Sequence, residues 1–139
     1  MIKELVRDES VLSQPCEAAT ADDAQDAQDV LDTLASIDGA ACLAANQIGV
    51  TKAIVAYLDD NEQAHVLLNP KILRALGAYK AQEGCLTRDG DSKVTRFERV
   101  KVQFDEIRDG KLVTRKKDLA GWEAEIVQHG IDHCKGKLV

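Results

Sequence analysis

The sequence predicts an α+β fold in which a run of antiparallel strands lies between an N-terminal and a C-terminal helix. Two stretches with helical apolar spacing bracket a middle region of short apolar and alternating runs, which also contains a strong hairpin signal. The chain has 139 residues, the length of one domain, and area scaling allows about two-thirds of its surface to be buried. We therefore expect a single domain over residues 1–139.

The first helix is predicted between Asp22 and Ile37. Thr20, Asp22 and Asp23 offer N-caps and early negative charge, and Gly39 ends the helix. Its apolar face recurs at helical spacing and consists of Ala27, Val30, Leu31, Leu34 and Ile37.

The strands are predicted from apolar runs and from period-two alternation. Ala53–Leu58 is typical of a buried strand, Asp59–Asn61 of a turn, and Val66–Leu68 of a second strand that Asn69-Pro70 is expected to stop. Residues 100–105 alternate between apolar and polar, which indicates a half-exposed strand. Asp109-Gly110 then predicts a tight hairpin turn.

The last predicted element is a helix from Leu119 to about Lys135. One face of it carries Leu119, Trp122, Ile126, His129 and His133.

Charge and composition exclude several classes of protein. The chain has 18 Lys+Arg against 24 Asp+Glu, a net charge of −6, and only 4% aromatic residues. It therefore lacks the positive surface and stacking platforms of a nucleic-acid binder. No apolar run approaches membrane-spanning length, and Met1–Glu4 does not resemble a signal peptide. We expect a cytoplasmic protein with neither nucleic-acid nor membrane partners.

Two histidines four residues apart stand near the end of the predicted C-terminal helix. His129 and His133 project from one helix face about one turn apart, close enough to share a metal ion. The alternative is a pair of packed or exposed histidines on an amphipathic helix. The chain has 3 histidines, and these two continue the apolar stripe from Trp122 to Ile126, so each needs a polar partner. This context favours the metal site.

Two further segments contain residues with candidate chemistry. In residues 83–87, Glu-Gly-Cys-Leu-Thr, a Cys85 thiolate beside a glycine turn offers a third ligand and leaves a fourth position open for water. The alternative for Cys85 is a small buried hydrophobe. In residues 42–49, Cys-Leu-Ala-Ala-Asn-Gln-Ile-Gly, the amide of Gln47 is suited to donate to a developing oxyanion. Alone, this segment is equally compatible with a loop that leads into a strand.

In their order and spacing, these three segments resemble the peptide deformylase family. That family carries a Gly-Leu-Ala-Ala-x-Gln segment, a Glu-Gly-Cys-Leu-Ser segment and a His-Glu-x-x-His helix. The likeness covers nearly the whole chain, because the first helix, the central strands and the Asp109-Gly110 hairpin also fall in corresponding places. It implies a fold of antiparallel β-sheets packed around a C-terminal metal-binding helix.

The resemblance also implies a reaction and the residues that carry it. Cys85, His129 and His133 would bind one divalent metal ion, Fe²⁺ or Zn²⁺, with Ni²⁺ or Co²⁺ able to substitute. Water activated there would attack the formyl carbonyl of an N-formylmethionyl peptide, releasing formate and a free amino terminus. The Gln47 side chain and the Leu86 backbone N–H would hold the oxyanion.

Supporting and substrate-binding residues follow from the same resemblance. Glu83 and Arg96 occupy positions similar to the family's supporting glutamate and arginine, and Asp132 would orient neighbouring side chains. The implied substrate-binding set is Ala40, Ala41, Cys42, Glu83, Arg96, Glu125 and Ile126. The implied partner is a formylated nascent chain or short peptide, and we expect a monomer.

The sequence departs from the family most clearly at Gly130, where the family has its proton-shuttling glutamate. General acid–base catalysis typically contributes 10²–10⁴-fold, so its loss is expected to impair turnover. Glu125 is the candidate replacement base, and its alternative is a partly solvated charge; Glu123 lies too far along the helix. We also expect Gly130 to weaken its helix by roughly 1 kcal/mol, and Gly130→Glu to strengthen it.

A second departure is Cys42, which replaces a family glycine near the substrate cleft. Its thiol is expected to narrow the path, to react, or simply to be buried. Glu125 brings charge to a methionine pocket that is apolar in the family.

Three functions remain open: an impaired metal-dependent deformylase, a catalytically silent relative that keeps the metal and binds peptides, and a metal- or thiol-responsive protein that uses Cys42 and Cys85.

Overall fold

The computed structural model describes residues 1–139, and its centre is one antiparallel sheet. Five strands follow one another in chain order across this sheet. They are β1 Cys42–Ala44, β2 Ile54–Leu58, β3 Ala64–Cys85, β4 Arg88–Arg108 and β5 Lys111–Ala120. Short connections place consecutive strands side by side, which gives the meander expected of the α+β prediction.

Three helices accompany the sheet. They are α1 Glu9–Leu12, α2 Ala24–Ala35 and α3 Gly121–Cys134, and single 3₁₀ turns form at Ala21–Asp23 and Ala45–Ile48. The predicted caps act at the first of these turns, where Thr20 accepts from the Asp22 N–H and Asp23 accepts from the Thr20 N–H. This capping box satisfies amides that the helix start leaves unpaired.

The two faces of the sheet carry separate apolar clusters, because side chains alternate along a strand. In β2, Ile54 and Ala56 pack into the cluster formed with α2, whereas Tyr57 packs into the cluster formed with α3. Val55 also lies on the α3 side, where it contacts Gly130. Helix α3 is thus fixed against the sheet along its buried face, and this fixes the direction of its histidines.

The predicted stop at Asn69-Pro70 is wrong, because β3 continues through both residues to Cys85. The β3–β4 register shifts between Leu68 and Lys71, and Asn69 has a φ of 51°. A bulge of this kind accommodates a proline that cannot donate to the ladder. The Asn69 side chain holds the bulge by bonding to Ala19 and to Asp105.

Two other boundaries differ from the predicted ones. Leu119 lies in strand β5, which ends at Ala120, and the last helix starts at Gly121 with a φ of 62°. The Asp109-Gly110 turn joins β4 to β5 with positive φ at both residues, as predicted. None of the helices has the length and apolarity needed to cross a membrane.

Candidate metal centre

The three predicted ligands meet where the end of β3 approaches α3. The ligand atoms of Cys85, His129 and His133 all lie within 4.8 Å of one another. The two histidine Nε2 atoms are 3.1 Å apart, and Cys85 Sγ is 3.5 Å from His133 Nε2. Four-residue spacing on α3 places both imidazoles on one face, and the β3 terminus supplies the thiol.

These separations suit a tetrahedral divalent ion. Bonds of ~2.1 Å to nitrogen and ~2.3 Å to sulfur at tetrahedral angles set ligand atoms roughly 3.4–3.6 Å apart. The measured 3.1 Å and 3.5 Å lie close to those edges. One thiolate and two imidazoles form a donor set that zinc or ferrous iron accepts. The residues therefore fit one metal ion.

Glu83 orients one of the two imidazoles. Its Oε1 lies 2.8 Å from His129 Nδ1, so a proton held at Nδ1 leaves Nε2 free to face Cys85 and His133. His133 is oriented by packing instead, since it is 1% exposed. Its Nδ1 has no hydrogen-bond partner within the protein.

A buried arginine holds Glu83 in place. Arg96 is 3% exposed and donates to both carboxylate oxygens of Glu83, from Nη2 at 2.7 Å and from Nε at 2.9 Å. Its Nη1 also donates to Asp132 Oδ2 at 2.6 Å. The guanidinium thus joins β4, β3 and α3 behind the metal ligands, and its fork matches two carboxylates at once. Asp132 acts through Arg96 in this arrangement.

The Cys85 thiol and the His129 imidazole shift each other's pKa. Burial alone would raise the pKa of Cys85, but hydrogen bonds from His129, His133 and Thr87 outweigh it and bring the pKa to about 5. Burial alone would lower the pKa of His129, but Cys85 and Glu83 raise it to about 9. Glu83, despite its burial, has a pKa of about 2 because His129 and Arg96 stabilise its charge. Without metal, the centre is an ion pair between thiolate and imidazolium.

Gln47 stands beside the thiol with its amide orientation fixed. Its Oε1 accepts from the Ala44 N–H at 2.9 Å, which leaves Nε2 3.5 Å from Cys85 Sγ and 3.2 Å from Thr87 Oγ1. The 3₁₀ turn after β1 brings Gln47 to this position. The predicted amide donor and the predicted thiolate are therefore neighbours.

A cleft of about 400 Å³ opens onto the centre. Cys85, His129, Gln47 and Leu86 line it. Of the predicted substrate-binding set it is also lined by Ala40, Ala41, Cys42, Glu83, Glu125 and Ile126. The remaining member, Arg96, is not part of the lining and lies behind Glu83.

The position of the family's glutamate is closed by packing. A Cβ built on Gly130 would lie 2.6 Å from Val55 Cγ1 and 3.1 Å from Cys42 Sγ. The helix strengthening expected for Gly130→Glu is therefore opposed by packing, because a Cβ here requires the buried side chain of Val55 to move. Helix propensity is worth about 1 kcal/mol at such a site, and overpacking typically costs 1–3 kcal/mol.

Cys42 occupies part of the volume next to Gly130. Burial, together with the charges of Cys85 and Glu83, raises the pKa of its thiol to about 12. The thiolate is the nucleophilic and basic form of cysteine, so this thiol is inert at neutral pH. Among the three possibilities predicted for Cys42, the geometry favours a thiol that narrows the cleft.

The two glutamates near the start of α3 have different surroundings. Glu125 lines the cleft, where its Oε1 accepts from the Tyr79 hydroxyl at 2.9 Å. Glu123 points elsewhere and accepts from the Asp60 N–H at 2.8 Å. Trp122 also lines the cleft and is 57% exposed, so it is not the core residue that the helical stripe predicted.

Sequence reasoning missed three residues at the site: Thr87, Tyr79 and the cleft position of Trp122. Thr87 lies within the Glu-Gly-Cys-Leu-Thr segment, so its closeness to Cys85 could have been predicted. Tyr79 shares strand parity with Glu83 and Cys85. That signal becomes usable only when β3 is known to extend past Asn69-Pro70.

Comparison with known proteins agrees with this geometry. A family model described as polypeptide deformylase matches residues 2–139. The chain is 35% identical over 140 residues to a peptide deformylase of Clostridium beijerinckii, covering 100% of both chains. It is 38% identical over 109 residues to peptide deformylase 3 of Shewanella oneidensis, covering 76% of this chain and 65% of that protein.

Solved structures give the same result at the level of the fold. A class I type b peptide deformylase from Acinetobacter baumannii superposes with a TM-score of 0.85 at 26% identity, covering 99% of this chain and 97% of that one. The peptide deformylase of Thermus thermophilus gives a TM-score of 0.84 at 28% identity, covering 99% and 83%. With its candidate metal ligands, its sheet and its full-length family match in agreement, this chain belongs to the polypeptide deformylase family.

Proposed function

We propose that the protein hydrolyses the N-formyl group of formylated peptides with one bound divalent metal ion, Fe²⁺ or Zn²⁺, and that it does so slowly. N-formylmethionyl peptides are the substrates that the family implies. The observation that carries the proposal is the convergence of Cys85, His129 and His133 beside the amide of Gln47, at the base of an open cleft. A purely structural metal site has no use for an oriented donor beside an open face.

The chemistry is water addition to the formyl carbon, cleavage of the C–N bond and protonation of the peptide nitrogen. A divalent metal at this centre supplies Lewis-acid chemistry that polarises the carbonyl and makes water nucleophilic near neutral pH. Gln47 Nε2 is placed to donate to the carbonyl oxygen as its charge grows. The Leu86 N–H has no acceptor among the turn and loop backbone bonds, so it is free to donate as well.

Slow turnover follows from Gly130. No side chain at this position takes the proton of the attacking water, and general acid–base catalysis typically contributes 10²–10⁴-fold. Glu125 is the candidate replacement base, but its Oε1 already accepts from Tyr79. The same observation supports the second candidate function, a catalytically silent protein that binds metal and peptide. We further propose that the protein acts in the cytoplasm, as a monomer, on nascent or short formylated peptides.

Formate release tests the proposal. Protein purified without oxygen and loaded with Fe²⁺, or with Zn²⁺ or Ni²⁺ in separate samples, is assayed on formyl-Met-Ala-Ala. We expect metal-dependent formate release that chelation abolishes and that His133→Ala removes. Peptide binding is measured in parallel, because binding without formate release identifies the silent alternative. No metal binding at all, with folded protein, contradicts both candidates.

A double variant tests the reason for slow turnover. Gly130→Glu combined with Val55→Ala supplies the carboxylate and removes its closest contact, which leaves Cys42 Sγ 3.1 Å from the new Cβ. We expect formate release at least tenfold faster than the starting protein, which corresponds to about 1.4 kcal/mol of barrier. The matched control, Gly130→Gln with Val55→Ala, has the same shape without the base. Equal rates for the two double variants contradict the explanation.

A further inference from the structure

Two free cysteines meet at the end of α3, outside the cleft. The Cys16 N–H donates to the backbone carbonyl of Cys134 at 2.8 Å. Both residues are half-buried, and neither lines the cleft. Cys134 is the last residue of α3 and directly follows His133, one of the candidate metal ligands. The pair therefore joins the N-terminal segment to the helix that carries both histidines.

The spacing of this pair suits a disulfide. A backbone hydrogen bond of this kind holds two Cα atoms roughly 5–6 Å apart, which lies within the ~4.4–6.8 Å that a disulfide spans. The side chains also interact, and a hydrogen bond from the Cys134 thiol lowers the pKa of Cys16. Cys16 is thus shifted toward the thiolate, the form of cysteine that reacts with oxidants.

The backbone is held in place on both sides of the pair. Next to Cys16, the carbonyl of Glu17 accepts from the Ala53 N–H at 2.9 Å. After Cys134, the chain passes so close to the N-terminal segment that a Cβ at Gly136 would lie 2.5 Å from the Ser13 carbonyl oxygen. Glycine permits this approach because it has no side chain. The fold therefore keeps the two cysteines adjacent.

A crosslink at this point acts on the last turn of α3. Helix ends open more readily than helix centres, because their terminal carbonyls lack intrahelical partners. His133 lies in this last turn, so local opening there removes one candidate ligand from the metal ion. A covalent bond from the next residue to the N-terminal segment opposes that opening.

We propose that Cys16 and Cys134 form a reversible disulfide in response to hydroperoxides, and that this bond slows the loss of the metal ion by fixing the last turn of α3. Disulfides of cytoplasmic proteins are typically transient and redox-sensing, which agrees with such a role. The cysteines concerned are not Cys42 and Cys85, for which the sequence raised a thiol response.

The reaction balances with one hydroperoxide as the oxidant. The Cys16 thiolate attacks a peroxide oxygen, the O–O bond breaks, and a sulfenic acid and one water result when the oxidant is hydrogen peroxide. The sulfur of Cys134 then attacks the sulfenic sulfur and forms the S–S bond, and its proton leaves with the hydroxyl group as a second water. The two thiols together lose two electrons and two protons, and a thiol reductant restores them by exchange.

The test uses Zn²⁺-loaded protein, because zinc has no redox chemistry and a bound ion occupies the Cys85 sulfur. The protein is treated with a small excess of hydrogen peroxide, denatured in an alkylating agent and analysed by mass spectrometry. We expect two of the 4 cysteines to escape alkylation. Peptide mapping is expected to find Cys16 and Cys134 in one crosslinked species that dithiothreitol separates.

Three serine variants identify the cysteines that react. Cys16→Ser and Cys134→Ser are each expected to abolish the crosslink. Cys42→Ser is the matched control, since it removes a cysteine that lines the cleft, and it is expected to form the crosslink as the starting protein does. Thermal unfolding before treatment establishes that each variant is folded, and Cys16→Ser alone suffices for the test because it lies outside α3.

The effect on the metal ion is measured as the rate at which Zn²⁺ passes to a chromogenic chelator. We expect release from the oxidised protein to be at least about threefold slower than from the reduced protein, because local opening of the helix end is suppressed. Cys16→Ser is expected to show no such difference after the same treatment.

Alkylation of all four cysteines after treatment overturns the inference, as does a crosslink through Cys42 or Cys85. A crosslink between Cys16 and Cys134 with unchanged or faster zinc release overturns the action on the metal ion. Neither measurement uses formate release, so failure of the proposed reaction is detected separately and leaves these results as they stand.

Discussion

Val55 and Gly130 face each other where β2 contacts α3, and the space between them sets what residue 130 can be. A Cβ at position 130 comes within 2.6 Å of Val55 Cγ1. We therefore expect Gly130→Ala to lower the free energy of unfolding by about 1–3 kcal/mol, although alanine has the better helix propensity. Denaturant unfolding of the metal-free protein measures the change.

The control for this prediction is the same substitution in a Val55→Ala background. There the 2.6 Å contact is gone and Cys42 Sγ remains 3.1 Å from the new Cβ, so Gly130→Ala is expected to cost less than in the original background, with helix propensity contributing up to about 1 kcal/mol in its favour. The difference between backgrounds is the coupling energy of the two positions. A stabilising Gly130→Ala in the original background contradicts the packing argument.

A second residue-scale consequence is that metal competes with a proton on His129. The pKa of about 9 keeps this imidazole protonated at neutral pH, whereas Cys85, with a pKa of about 5, is already a thiolate. We expect Zn²⁺ affinity to rise with pH between about 5 and 9 and binding near pH 7 to release about one proton. Calorimetry in buffers of different ionisation enthalpy counts that proton.

Glu83→Gln provides the comparison for proton release. It removes the carboxylate that raises the pKa of His129, so fewer protons are released near neutral pH. Metal affinity is also expected to fall by about 10–100-fold, as is typical when the group that orients a ligand is lost. Affinity that does not change with pH in either protein contradicts the assignment.

At the scale of elements, Arg96 connects β3, β4 and α3 through a buried ion pair with Glu83 and a partly buried one with Asp132. Arg96→Met leaves Glu83 and Asp132 without their cation, and we expect it to lower the free energy of unfolding by about 3–5 kcal/mol. Arg96→Lys should recover only part of this loss, since an ammonium cannot donate along the same fork. Thermal unfolding of each variant measures the effect.

Arg115→Met is the matched control for the arginine prediction. Arg115 pairs with Glu106 on the surface, and its side chain is 51% exposed. Exposed pairs contribute at most about 1 kcal/mol, so a small change is expected. Equal losses for Arg96→Met and Arg115→Met would show that the buried network contributes no special stability.

The long β3–β4 hairpin shows where element prediction from this sequence ends. Short apolar runs such as Ile54–Leu58 were predictable because core strands bury apolar side chains. Most of the β3 residues beyond Pro70 are exposed or half-buried, so they lack the alternation that marks a strand. Asn69-Pro70 imitates a strand end, because the bulge that accommodates it depends on contacts with Ala19 and Asp105, which are distant in sequence.

The residues of the candidate site also fall into those that the sequence predicted and those that it did not. Cys85, His129, His133 and Gln47 were found because their chemistry is carried by residue type and local spacing. The exposure of Trp122 was not predicted, because the spacing of apolar residues on the C-terminal helix does not indicate which end of that face leaves the core.

For the whole molecule, the candidate metal centre connects the β3–β4 hairpin to α3. An ion bound by Cys85, His129 and His133 ties the end of β3 to the helix, and the unfolded chain has no such preformed site. At free Zn²⁺ near 1,000 times its dissociation constant, we expect about 4 kcal/mol of added stability. Thermal unfolding with Zn²⁺ and with chelator measures this difference. Cys85→Ala should lose most of it, and an equal gain in that variant contradicts this connection.

The closed space at Gly130 also bears on which sequences this chain can reach by single changes. A glutamate introduced at 130 meets Val55 and Cys42 at once, so it carries a cost in stability before its carboxylate can serve catalysis. A smaller residue at 55 or 42, introduced first, leaves a cavity with no catalytic benefit of its own. Neither first step is favourable alone, so packing makes the order of substitutions matter. We therefore expect glycine to persist at position 130, because Val55 and Cys42, which are not among the candidate metal ligands, make each single step away from it unfavourable.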